Sequence, residues 1–76
     1  MRSEDREKFV RLANKRVNNA IKAIVLIGNL SNKSNYDYTD DDVAKIFKAI
    51  QGELNACKKR FDMASKPGGN DVFTLD

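Results

Sequence analysis

Seventy-six residues leave room for one small domain. With 41% apolar and 33% charged residues the chain is too apolar for disorder, and its longest apolar run, Ala23 to Ile27, is far short of the roughly 20 residues of a membrane span. A formal charge of +3, a charged N-terminus and a single cysteine predict a cytoplasmic protein with no signal peptide and no internal disulfide.

The first predicted helix runs from about residue 3 to 30. Ser3 is its expected N-cap, and Glu4, Asp5 and Glu7 set negative charge on the first turn. Val10, Ala13, Val17, Ala20, Ile24 and Ile27 recur at alternating spacings of three and four, which makes one helical seam. Glu4 with Lys8 and Glu7 with Arg11 are i,i+4 pairs in the favourable orientation. Gly28-Asn29 weakens the last turn, and residues 31–38 read as a polar connector.

The second predicted helix runs from about residue 39 to 65. Thr39 is its expected N-cap, with Asp40, Asp41 and Asp42 in the first turn; Asp42 occupies the capping-box position where Glu or Gln is usual, an imperfect box. Val43, Phe47, Ile50, Leu54, Cys57, Phe61 and Ala64 form its seam, and Ile46 widens it. Cys57 therefore reads as a small buried hydrophobe. Lys58, Lys59 and Arg60 suit the negative end of the helix dipole, and Pro67-Gly68-Gly69 stops the helix. Residues 67–76 form a tail, either docked or disordered.

Two long helices joined by so short a connector predict an all-α antiparallel hairpin over residues 1–66. The seam of the second helix suits one neighbour. The first helix is oversupplied: from Ala20 to Ile27 only Lys22 is polar, and one neighbour cannot cover Ile21, Ile24, Val25, Leu26 and Ile27 together. The favoured resolution is a homodimer forming a four-helix bundle; a hetero-complex on the same surface and a monomer closed by its tail are the alternatives. Gly52 inside the second helix is either neutral surface or a point of close approach for another helix.

Charge is unevenly placed. From Lys8 through Tyr36 there is no Asp or Glu, while Lys8, Arg11, Lys15, Arg16, Lys22 and Lys33 are all cationic. Lys8, Arg11, Lys15, Asn18 and Lys22 fall on one line opposite the seam, which is either a solvated face, a phosphate-contacting ridge or a surface for an acidic protein. Ile21, Val25, Leu26, Tyr36 and Tyr38 are the candidate protein-contact residues; the tyrosines either staple the connector to the helix ends or present it together with Asn32, Lys33 and Asn35.

Little in the sequence suggests catalysis. Histidine, the usual general base and metal ligand, is absent, and no Gly-rich phosphate loop follows a strand. The Asp37–Asp42 cluster lacks the spacing and glycine of a calcium loop and is better read as helix capping. The expectation is a non-enzymatic protein with no metal, cofactor or small-molecule substrate, whose partner is an unidentified protein or a structured nucleic acid.

The segments Arg16–Ile24, Leu26–Tyr36, Tyr38-Thr39-Asp40 and Ile46-Phe47 resemble a family of short bacterial and phage-associated helical proteins, over roughly residues 7–62. The likeness is most specific in the connector, from Gly28-Asn29-Leu30-Ser31-Asn32 to Tyr36-Asp37-Tyr38-Thr39. The family carries no assigned function, so the likeness implies no activity and no site residues. The apolar excess of Ala20–Ile27 and the tyrosine-bearing connector give the expectation of a small interaction or regulatory protein, of a phage or mobile element, that docks onto a larger host or defence protein. Val25 departs from the basic residue expected there, which weakens any binding role for that position. Architecturally the chain is also similar to small plasmid copy-number regulators, dimers of helical hairpins that bind RNA stem-loops; Glu53-Leu54, Cys57 and Arg60-Phe61 carry that likeness.

Overall fold

A computed structural model describes residues 2–65. Among these the chain is all-α, in the order α1 (Ser3–Gly28), a short 3-10 helix (Asn29–Ser31) and α2 (Asp40–Ser65). Each long helix has 26 residues, which at about 1.5 Å per residue is about 39 Å of axis. The chain divides into two units that meet between Asp37 and Tyr38, inside the predicted connector, and each is described separately. The predicted tail and its Pro67-Gly68-Gly69 stop lie outside the described residues.

In the first unit the N-cap is Arg2, with extended backbone at φ −82° and ψ 146°, and not Ser3. The carbonyl of Arg2 accepts from the N–H groups of Asp5 and Arg6 at 3.1 Å each, so Ser3 is already helical and its hydroxyl is in the wrong place to cap. Arg2 makes no side-chain cap; its guanidinium instead reaches Asp5 at 3.4 Å. The predicted pairs of Glu4 with Lys8 and Glu7 with Arg11 do not close among the described residues. Such exposed pairs contribute only tenths of a kcal/mol, too little to hold two long side chains in one geometry.

At its C-terminal end α1 tightens instead of breaking. Gly28 stays right-handed, with φ −60° and ψ −30°, and the N–H of Asn29 still reaches the carbonyls of Val25 and Leu26. The 3-10 turn ends where Asn32 becomes extended, with ψ 100°. Asn32 then organises the connector: its side-chain oxygen accepts from the Ser34 N–H at 3.0 Å and the Ser34 hydroxyl at 2.6 Å. Its main-chain oxygen accepts from the N–H groups of Asn35 at 3.1 Å and Tyr36 at 3.0 Å. One asparagine thus folds the turn at residues 33–35 with both of its oxygens.

The second unit begins with a closed capping box. Thr39 N–H donates to Asp42 Oδ2 at 2.9 Å, and Asp42 N–H donates to Thr39 Oγ1 at 3.1 Å. The sequence suggested an imperfect box, yet the shorter aspartate spans the same gap as the usual glutamate. The first backbone bond of α2 follows, from Val43 N–H to the Thr39 carbonyl at 3.2 Å. Asp41 pairs with Lys45 at 3.1 Å, one turn on. No basic residue stands in the last turn of α2. Lys58, Lys59 and Arg60 precede its end at Ser65 by a turn or more, where the dipole that was expected to favour them has largely decayed.

No described hydrophobic side chain is buried. Both seams are exposed stripes: Val17, Ile24, Phe47, Leu54 and Phe61 are all more than half exposed, and Leu12, Ala13, Ile27, Val43 and Ile50 are half-buried. Cys57, expected to be buried, is exposed, because a position on a seam is covered only by what the seam meets. No helix among the described residues is long and apolar enough to cross a membrane.

Two substitutions test these local readings. Thr39→Ala removes one arm of the box and should lower stability by about 1 kcal/mol in denaturant unfolding, with Thr39→Ser restoring most of it. A Cβ added at Gly52 meets nothing within 4 Å, so Gly52→Ala should raise stability by about 1 kcal/mol. A loss instead would show that another helix approaches at that point.

Candidate interaction surfaces

The row predicted opposite the first seam is present on α1. Lys8, Arg11, Lys15, Asn18 and Lys22 are all helical and all exposed. At about 100° per residue the five fall within about 80° of one another around the helix, and from Lys8 to Lys22 they extend about 21 Å along it. Within the first unit no carboxylate lies within ion-pair distance of Lys8, Arg11, Lys15 or Lys22. The acids that open α1 are otherwise disposed: Asp5 holds Arg2, and Glu7 flanks the row on the open face shared by Val10, Arg11, Asn14, Lys15 and Asn18.

Asn18 differs from its neighbours. Its side-chain amide donates to the Asn14 carbonyl at 2.8 Å, one turn back along the same helix. That bond ties the amide to the backbone and leaves the four cations as the groups in the row that reach outward. Arg6, outside the row but lining the same open face as Glu7, Arg11 and Lys15, sets its guanidinium carbon 6.0 Å from the centroid of the Phe9 ring, at the outer limit of a cation–π contact.

The apolar candidates do not form a single patch. Ile21 and Val25, four residues apart, share one flank of the basic row, and Val25 is 58% exposed. Leu26, 66% exposed, continues the line of the row at the azimuth of Lys8, one turn beyond Lys22 and one turn before Leu30. The C-terminal half of α1 is therefore apolar on its seam, on one flank of the row and at the row's end. Tyr36 is exposed at the end of the first unit, and Tyr38, half-buried, opens the second.

Sequence reasoning missed the part played by Asn32, which it grouped with Lys33 and Asn35 as recognition residues. Both oxygens of Asn32 are committed to the connector's own turn. The sequence signal was an Asn two residues before a Ser, the pattern of an Asx turn. Among the described residues no group of three or more His, Cys, Asp or Glu side chains is placed to hold a metal ion. Asp42 serves the cap, and Asp41 serves Lys45.

No protein-family model matches the chain, and neither a curated protein nor a solved structure shows significant similarity to it.

Proposed function

We propose that this chain acts by binding and not by catalysis: it folds as an antiparallel helical hairpin, pairs with a second copy into a four-helix bundle, and docks onto a larger protein. The observation that carries the reading is the breadth of exposed apolar surface on α1 and the 3-10 turn after it, where Val17, Ile21, Ile24, Val25, Leu26 and Leu30 are all uncovered. Removing each large aliphatic from water is worth about 1.5–3 kcal/mol, so a fold of this size gains more from covering them than from any polar contact it makes.

Local propensity supports the need for cover. Val10, Val17, Ile21, Ile24, Val25 and Ile27 are β-branched, and such residues cost up to roughly 0.7 kcal/mol each in a helix relative to alanine. A helix built from them draws its stability from packing. Charge favours the antiparallel arrangement. The acidic opening of α1, with Glu4, Asp5 and Glu7, would lie beside Lys58, Lys59 and Arg60 late in α2. A parallel pairing would set that acidic opening beside Asp40, Asp41 and Asp42 instead.

In this arrangement the two seams and their two-fold copies form the bundle core, with Cys57 inside it. Ile21 and Val25, on the flank away from Leu26, remain for the larger partner, together with Tyr36 and Tyr38 of the connector. Two-fold pairing is the simplest closed solution for a surface that must cover itself.

Sedimentation equilibrium at tens of micromolar should return about twice the 8.6 kDa chain mass, and Cys57 should react with a thiol reagent far more slowly than in denaturant. Ile24→Glu, on the seam, should abolish both. A sharp single-chain mass for the wild type would contradict the dimer. Ile21→Asp with Val25→Asp should keep the dimer mass while releasing the protein that copurifies from the native host; retention of that protein would refute the docking surface.

A further inference from the structure

We infer that the basic row of α1 is a second binding surface, one that takes the phosphate backbone of duplex DNA without regard to sequence. Three observations carry this. Lys8, Arg11, Lys15 and Lys22 are exposed, lie on one line, and have no carboxylate partner within the first unit. The sequence holds no Asp or Glu from Lys8 through Tyr36. The one amide in the row, that of Asn18, is tied to the Asn14 carbonyl.

Each observation narrows the occupant. A row of about 21 Å laid across the roughly 12 Å major groove of B-form DNA overlaps both rims, so Lys8 and Arg11 can reach phosphates of one strand and Lys15 and Lys22 those of the other. Single strands are held by aromatic side chains on which bases stack, and the row has no aromatic member. Adenine is read by an Asn or Gln amide presented in the groove, and the Asn18 amide faces its own backbone. Cations engaged with phosphates position a protein on DNA but do not select a sequence. Shape separates the two kinds of duplex: the row spans the roughly 12 Å major groove of B-form DNA from rim to rim, whereas the narrow A-form major groove of RNA sets its rims too close together for a row of that length.

The surface is distinct from the apolar flank proposed for the larger protein, and it needs only that α1 be helical. On a two-fold dimer it occurs twice. Ile21 and Val25 on one side and Leu26 at its far end bound it towards the C-terminus of α1, and Glu4 and Glu7 bound it at the start of the helix.

The test is fluorescence anisotropy of the full chain with a labelled duplex of about 20 base pairs of arbitrary sequence, longer than the row, titrated between about 50 and 200 mM salt. Four phosphate contacts should give a log–log slope near −3.6, a loss of affinity of roughly 150-fold across that range, with the slope doubling where both rows of a dimer engage one duplex. Lys15→Gln with Lys22→Gln should cut the slope by about half, while Lys15→Arg with Lys22→Arg should restore it. Lys48→Gln with Lys59→Gln, on α2, should leave it unchanged. Absence of binding at low salt, or a slope untouched by the Lys15 and Lys22 glutamines, would overturn the inference. So would equal or tighter binding of single-stranded DNA or duplex RNA, or binding of polyglutamate in place of the duplex, which would assign the row to an acidic protein. Sedimentation of the same variants reports the dimer separately, so failure of this inference leaves the bundle unaffected.

Discussion

Covering the apolar surface of α1 is the constraint on which everything else in this protein depends. Its C-terminal half carries β-branched and leucine side chains on the seam, on one flank of the basic row and at the row's end, and its local backbone preferences work against the helix they sit on. Caps, ion pairs and turn hydrogen bonds each contribute on the order of 1 kcal/mol or less, all at exposed positions. They fix where helices start and stop. They do not supply the free energy that holds a chain this small in a single fold, which must come from removing the two stripes from water.

That constraint also explains how the polar residues are distributed. Negative charge is concentrated where each helix begins, as Glu4 and Asp5 on α1 and as Asp40 to Asp42 on α2, where dipole and capping favour it. Clearing acids from the rest of α1 leaves Lys8, Arg11, Lys15 and Lys22 opposite the seam with nothing in the first unit to neutralise them. A modest net charge thus conceals a helix with an apolar side that demands cover and a cationic side that stays open. An association that buries the seams exposes the rows, so the two surfaces do not compete.

Much of this was legible in the residues. The alternating three- and four-residue spacings placed both helices to within a residue or two, because a long, uninterrupted period is the strongest local signal a chain carries. Thr39 was recognisable as a cap from its following aspartates. Less legible were features set by a single residue of register. Whether Arg2 or Ser3 stands at the N-cap turns on which carbonyl accepts from Asp5 and Arg6. The closure of the box by Asp42, and the use of Asn32 as the hub of the connector, depend on short side chains reaching particular N–H groups, which composition alone does not encode. Periodicity marks Cys57 as a member of a seam. It says nothing about what, if anything, lies over that seam.

If burial of the stripes by a second copy holds the fold, helicity must obey mass action. Far-UV circular dichroism of the full chain, followed through thermal unfolding over a range of concentrations from sub-micromolar to hundreds of micromolar, tests this most directly. The account predicts that helicity is lost on dilution and that the unfolding midpoint climbs with concentration. A helical signal and midpoint that stay constant over that range would show that a single chain covers its own stripes, and would contradict it.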